Sequence, residues 1–527
     1  MTVDRQIDLA TVQSGGTLGS SLIAAMRRYP HRPAIADGEV SWTYRELERQ
    51  LAALVAVFKA EGVRPGDGIG VLTGNRAEGF AASVAAMLMG ARYTPLHPAA
   101  AEEDHAFIVS DAELKAIVVE PVRYGVVGLA LARRQPGLRL FSLGPTEGAI
   151  DLRQATASVP DPQLHDEATP QSIAYLAYTG GTTGRPKGVI LSHRVFASML
   201  VHQGHDWEWP QEIRFLASSP ITHMAGSIIY TVLAKGGYTR LVDRFDPVVF
   251  FKTAKDDRIT AALLVPTMIY ALLDHPSLSG HDVSTIKLII YGAAPMSPDR
   301  LAQALDAFGP VFLQVYAQTE AVQGIATLRQ SDHALNRPER LSSCGIPGPL
   351  VTVKLLDEEM QEVPTGQPGE ICVRGPIVMD GYWKQPDATA EALRGGWLHT
   401  GDVAVQDDDG YLTIVDRLKD MIVTGGFNVY PREVEDALLS HPSVASAAVI
   451  GTPDAKWGEA VRAFVMIRPG ASFDETGLRD HVKSRRGSIS APKIIERVDE
   501  IPLTPLGKVD RKRLRAPFWS DRERSVG

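Results

Sequence analysis

Between Tyr44 and Val119 the sequence alternates amphipathic segments with short apolar runs, and that rhythm narrows the fold more than any other feature. Leu47, Leu51, Leu54, Val55 and Phe58 recur at helical spacing, so residues 44–62 are expected to form a helix. Residues 69–72 follow as a short buried strand, 78–89 as a second helix, and 93–96 and 116–119 as further strands. Strands separated by helices pair through crossover connections, which implies α/β layers built on a largely parallel sheet. A chain of 527 residues is too long for one core, so two or more domains are expected. The pattern changes near Asp416. Pro431 stands where a helix would start, and Val434, Ala437, Leu438 and His441 follow at helical spacing. With strands at 447–450 and 463–467 and a helix at 474–482, these residues describe a small α+β unit. The boundary is placed near Lys419, giving a large domain of residues 1–418 and a small one of 419–527.

Bulk properties exclude some functions. A net charge of −8 argues against a nucleic-acid partner, which would require a basic surface. Two cysteines, Cys344 and Cys372, make neither a disulfide framework nor a four-ligand zinc site, and they fit a reducing cytoplasm. The first residues carry early acidic groups and no apolar h-region, so no secretory leader is expected. The most apolar stretches fall short of the roughly 20 residues of a membrane span. The last residues are not a peroxisomal address.

The sharpest chemical signal is Tyr178-Thr179-Gly180-Gly181-Thr182-Thr183-Gly184-Arg185-Pro186-Lys187-Gly188, which follows a mostly apolar segment. Glycines let backbone N–H groups approach an anion, hydroxyls add donors and the lysine adds charge. That equipment suits a triphosphate. It is not a Walker A loop, because Pro186 precedes Lys187 and Gly188 follows it.

The segment resembles the phosphate loop of the adenylate-forming superfamily, which includes acyl-CoA synthetases, aryl-CoA ligases, luciferases and peptide-synthetase adenylation domains; Gly181 stands where serine is usual. Further segments follow in that family's order. They are Pro220-Ile221-Thr222-His223-Met224-Ala225-Gly226, Tyr291-Gly292-Ala293-Ala294-Pro295-Met296-Ser297 and Tyr316-Ala317-Gln318-Thr319-Glu320. Thr400-Gly401-Asp402, Asp416-Arg417-Leu418-Lys419-Asp420, Gly425-Gly426-Phe427-Asn428-Val429-Tyr430-Pro431 and Pro505-Leu506-Gly507-Lys508 complete the set.

The resemblance implies a large multi-layered α/β domain and a small mobile α+β domain. It implies ATP contacts at Thr179, Gly180, Gly181, Thr182, Thr183, Gly184, Lys187, Gly292, Ala293, Ala294, Tyr316, Ala317, Gln318, Thr319, Glu320, Asp402, Arg417 and Lys508. Tyr316 would stack on adenine, Asp402 and Arg417 would meet the ribose, and Thr179 and Glu320 would offer oxygens to Mg²⁺. Lys508 and His223 take the catalytic positions, Lys508 bridging carboxylate and α-phosphate and His223 gating the acid pocket. His223, Ser227, Gly292, Ala293, Ala317 and Gly324 would line that pocket. Gly425, Gly426 and Phe427 resemble a coenzyme A passage, and Lys419 lies at the family's hinge, about which the small domain would turn between two half-reactions. Ala317 and Gln318 depart from the usual glycine and methionine or serine, which alters the expected pocket shape.

Three functions compete on these residues. The first is an acid:CoA ligase, forming acyl-AMP and pyrophosphate and then a thioester. The second is a stand-alone adenylation enzyme that loads a carrier protein. Amino-acid members of that class usually place an aspartate after the gating aromatic, and here Met224 follows His223. The third, a non-catalytic nucleotide-binding module, would not need Lys508. Luciferase-type oxidation shares the adenylation half and is not separated by motif. Partners are therefore a carboxylic acid, ATP and coenzyme A, with a homodimer left open. Small residues at Ala225, Gly226, Ser227, Gly292, Ala293, Ala294, Ala317 and Gly324 are expected to leave volume for a bulky apolar or aromatic acid.

Overall fold

The computed structural model describes residues 15–179, 186–425, 427–454, 456–503 and 509–519. Gly180, Gly181, Thr182, Thr183, Gly184, Gly426 and Lys508 lie outside the described residues. The chain forms two compact units. One contains residues 1–341, 345–352 and 374–398; the other contains 342–344, 353–373 and 399–527.

Two sheets organise the large unit. In the first, Gly381–Tyr382, Lys187–Ser192, Ile173–Thr179, Arg92–Pro95, Gly68–Leu72, Leu114–Val119, Arg139–Ser142 and Ile150–Asp151 lie side by side in that order. Its interior is parallel, and the two strands at the Gly381 edge are antiparallel. In the second, the parallel strands Pro33–Ala36, Tyr238–Leu241, Arg214–Ala217, Ala261–Leu264, Leu288–Gly292 and Phe312–Gln318 are neighbours. Ser41–Thr43 closes one edge, and Ala321–Leu328 with Ile346–Pro347 closes the other. The α/β expectation holds, with antiparallel additions at the sheet edges.

The expected first helix is Tyr44–Ala60. Thr43 caps it, its backbone N–H donating to Glu46 Oε2 at 2.7 Å while Glu46 N–H donates to Thr43 Oγ1. Such a box is worth about 1 kcal/mol. The second helix, Ala77–Leu88, is buried at all twelve residues, which explains why it is apolar on every face. Helix His193–Asp206 touches strands of both sheets and the helices Leu18–Arg28 and Met224–Ala234. It therefore belongs to a helical layer between the sheets.

The small unit carries an antiparallel sheet in the order Ile422–Thr424, Gly458–Ile467 and Val444–Asp454, with Phe427–Val429 at its edge. Ile494–Arg497 pairs with Gly458–Ile467 in parallel. Helix Pro431–Leu439 starts with proline at its first turn, as expected. Val434, Leu438, Val449, Val465, Leu478 and Val482 form its core. The two long strands exceed the short ones expected, and the helix expected at 474–482 runs from Glu475 to Ser490 across a break at Gly487 (φ 82°). Cys344 and Cys372 also belong to this unit; both are buried and neither is in a disulfide. Burial pushes the Cys344 thiol up to about 12.

The chain passes between the two units several times, for the last time between Leu398 and His399. Charge explains why residues 416–420 stay with the small unit. Asp416 Oδ2 accepts from Arg432 N–H at 2.9 Å, and Arg515 meets Asp420 Oδ1 at 2.7 Å. Arg511 reaches Asp420 at 3.7 Å and grips both oxygens of Glu435 at 2.8 and 2.7 Å.

Candidate active site

In the large unit the phosphate-loop segment is framed by a strand pair. Thr179 ends one strand, Lys187 begins the next, and the two residues are register partners. The short strand Gly381–Tyr382 continues the pairing, with Gly381 opposite Ile190 and Tyr382 opposite Val189. Two more main-chain bonds lock the join: Trp383 N–H donates to Gly188 O at 2.7 Å, and Asp380 N–H to Ile190 O at 3.0 Å.

The expected nucleotide segments converge through this edge. Tyr316, Ala317, Gln318, Thr319 and Glu320 run from the strand Phe312–Gln318 into the turn before Ala321–Leu328, and all five are half-buried. Met379 N–H donates to Glu320 O at 2.9 Å, and Tyr382 O–H donates to Glu320 Oε1 at 2.9 Å. Over the face of the same ring, Lys187 Nζ lies 5.0 Å from its centroid. Tyr382 thus touches both a lysine expected to hold phosphate and a carboxylate expected to hold metal. Sequence reasoning missed it, because a Gly-Tyr pair far from either motif carries no spacing signal.

Gly292 ends the neighbouring strand Leu288–Gly292, and Ala293 follows it. Ala293 holds φ 64°, a left-handed backbone that non-glycine residues adopt at a cost and that clusters at functional sites. Ala293 is exposed and Ala294 half-buried.

His223 caps the N-terminus of helix Met224–Ala234 by position, without a side-chain cap bond. Its ring lies 4.9 Å from that of His97, tilted by 35°. Solvent reaches the His223 ring, yet protein crowds it on most sides, and this desolvation, reinforced by His97, holds its pKa below the usual histidine range. Burial also lowers His97, whose Nδ1 accepts from Ala99 N–H at 3.1 Å. Both rings are therefore neutral near pH 7, and a neutral imidazole does not trap a carboxylate as an ion pair. His97 is a second residue the sequence did not announce.

The volume expected from small residues needs correction at three positions. A Cβ on Gly226 would lie 2.0 Å from Ile221 O, one on Gly292 2.3 Å from Val315 O, and one on Gly324 2.4 Å from His202 Nε2. These glycines admit the Ile221 carbonyl, a neighbouring strand and a buried histidine; they do not leave open space. Of the other small residues, Ser227, Ala294 and Ala317 are half-buried and Ala293 is exposed.

In the small unit Asp402 and Arg417 are register partners on adjacent strands, with Nε to Oδ1 at 3.0 Å. Asp402 is buried and Arg417 exposed. A second carboxylate steadies the turn: Glu370 Oε1 accepts from Gly401 N–H at 2.9 Å, and Glu370 Oε2 lies 2.6 Å from His399 Nδ1. Thr400 Oγ1 donates to Ile371 O at 2.7 Å and accepts from Asp402 N–H at 3.1 Å. Glu370, Cys372 and His399 form a compact group, but their ligand atoms already bond one another. Lys419 is half-buried, and burial followed by the Arg417 charge lowers its pKa. Gly425 turns at φ 60° against the ring of Trp457, and Phe427 is exposed.

Residues 22–383 match the AMP-binding enzyme family, and residues 433–508 match the AMP-binding enzyme C-terminal domain. The chain belongs to this adenylate-forming family, as a ligase of the acyl-CoA synthetase type. It is 41% identical over 524 residues to the medium/long-chain-fatty-acid–CoA ligase FadD8 of Mycobacterium tuberculosis, covering 97% of this chain and 91% of that protein. It is 36% identical to a feruloyl-CoA synthase from an Amycolatopsis species, covering 95% and 99%. Among solved structures, the amide bond synthetase McbA from Marinactinospora thermotolerans superposes with a TM-score of 0.88 at 34% identity, covering 95% of this chain and all of that one. No helix among the described residues is long and apolar enough to cross a membrane.

Proposed function

We propose that this ligase activates a bulky hydrophobic or aromatic carboxylic acid with ATP, releasing pyrophosphate, and transfers the acyl group from the adenylate to coenzyme A. The observation that carries the nucleotide half is the meeting of Lys187 and Glu320 on Tyr382 at one edge of the large unit. Lys187 and the hydroxyl of Thr179 meet phosphate, Tyr316 takes adenine, and Asp402 with Arg417 takes the ribose. The donor set fits magnesium: a half-buried carboxylate with one oxygen already bonded to Tyr382, and a hydroxyl at the strand end, are hard oxygen ligands. When bound, Mg²⁺ would neutralise phosphate charge. Neutral His223 and His97 border the acid, and Lys508 stabilises the charge that builds as the carboxylate oxygen attacks the α-phosphorus. The acyl carbon then accepts the thiol sulfur of coenzyme A and AMP leaves. Lys419 is the proposed hinge and Gly425 to Phe427 the proposed thiol passage.

The preference for a large acid is supported by the half-buried small residues Ser227 and Ala317 and by the substrates named for the two similar ligases. A size series of acids with ATP and coenzyme A fixed tests it through kcat/KM. Each buried methylene adds about 0.8 kcal/mol, so the ratio should climb well past three carbons. A maximum at acetate or propionate overturns the preference, and ADP with phosphate as products overturns the adenylate. Offering an acyl carrier protein and a simple amine alongside coenzyme A tests the acceptor, with thioester on coenzyme A expected to dominate.

A further inference from the structure

Tyr382 engages an anion with its hydroxyl and a cation with its face at the same time. Phenol is suited to this because the O–H lies in the ring plane while the negative π face projects perpendicular to it. Phenylalanine would keep only the face, and serine only the donor. We propose that Tyr382 is a positioning residue of the nucleotide site: it aims the Glu320 carboxylate for magnesium and holds Lys187 away from that carboxylate, so neither charge is consumed by the other before Mg-ATP arrives. This rests on the reading of Lys187 and Glu320 as nucleotide contacts.

Three observations support the role. The mount is rigid, since Tyr382 and Gly381 pair with the strand that Lys187 begins, and Met379, three residues earlier, bonds the backbone of Glu320 itself. One side chain is thus fixed to both segments it must separate. The hydrogen bond is also shielded in part from solvent, since Tyr382 and Glu320 are both half-buried. Finally, Oε1 of Glu320 is occupied by the hydroxyl, which selects the rotation of the carboxylate and leaves the second oxygen to bind. Lysine and glutamate in a half-buried cleft attract strongly, and a direct pair would neutralise both.

Calorimetric titration with ATP, in EDTA and in excess Mg²⁺, tests this on the full chain without relying on turnover. Wild type should bind Mg-ATP more tightly than metal-free ATP, and Glu320→Gln should remove that gain. Tyr382→Phe keeps the ring beneath Lys187, so metal-free affinity should stay within about twofold. Its magnesium-dependent gain should shrink about ten- to a hundredfold, the usual loss for a hydrogen bond to a charged group. Tyr382→Ala removes the spacer as well and should weaken metal-free binding too. Adding Glu320→Gln to Tyr382→Ala should then restore metal-free affinity, because the lysine has lost the carboxylate it would pair with. A general packing defect would not be rescued by changing that carboxylate. Full magnesium dependence in Tyr382→Phe, or no rescue in the double variant, overturns the role of Tyr382. A wild type whose ATP affinity ignores both magnesium and Lys187→Ala overturns the nucleotide reading beneath it.

Discussion

Charged side chains are used differently in the two units. At the Gly381 edge of the large unit, Lys187 and Glu320 meet through an aromatic ring, one on its face and one on its hydroxyl. In the small unit, Arg511 grips Glu435 with two short contacts and Arg515 meets Asp420 directly. Directly paired charges hold segments together and have little field left for a ligand. Charges set apart by a polarisable ring keep their field and do little for stability. The comparison predicts that activity and stability will respond to different variants.

The largest effect is expected at Glu320. Glu320→Gln should slow acid-dependent pyrophosphate release by about 10²–10³, the usual loss of one transition-state electrostatic contact, with little change in melting temperature. A large fall in melting temperature would erase the contrast. Arg511→Ala should do the opposite. It leaves Glu435 mostly buried without its guanidinium, a loss of about 3 kcal/mol in unfolding free energy read from urea melts. Its adenylation rate per folded molecule should stay near wild type.

Acid should separate the units as well. His193 and His333 in the large unit are buried, and desolvation lowers both to about 4. The unfolded chain, with histidine near 6.5, then binds more protons than the folded one between about pH 6.5 and 4. Their neutral burial therefore contributes stability above about pH 6.5 that is lost as pH falls toward 4. Asp416 in the small unit runs the other way, since burial raises it to about 6 and folding favours its protonated form. Its destabilising effect grows as pH rises from about 4 through 6. Thermal melts from pH 7.5 to 4.5 should show the large unit weakening first, by on the order of 1–3 kcal/mol, and His333→Gln should flatten the slope. The smallest effect is expected at Glu370→Gln. It loosens the turn that presents Asp402, so KM for ATP should rise about threefold, in line with one weakened hydrogen bond, while the acid KM holds.

The parts of the fold that were legible in sequence were local. Helical spacing from Leu47 to Phe58, the proline at 431 and the apolar run before the phosphate loop each specify their element through neighbouring residues. The pairing of Pro33–Ala36 with Tyr238–Leu241 could not be read, because no local signal reports a partner two hundred residues away. The site followed the same rule. Thr179, Lys187, Tyr316 and Glu320 stand in motifs whose order is informative, whereas Tyr382 and His97 acquire meaning only from what the sheet places beside them. Glycine misled the reading in a specific way. Gly292 and Gly324 looked like room for substrate, yet the space is filled by Val315 and His202, and absence of a side chain in sequence does not say what occupies the space in three dimensions.

Both thiols of the chain lie inside the small unit, one buried with its proton held to about pH 12 and the other with no exposed surface. Thiolate attacks maleimide or iodoacetamide, so neither sulfur reacts until its surroundings open. The protein thus carries a built-in chemical clock for one of its two halves. Labelling rates measured by mass, with and without Mg-ATP, acid or coenzyme A, time the opening of that half alone, without any introduced probe.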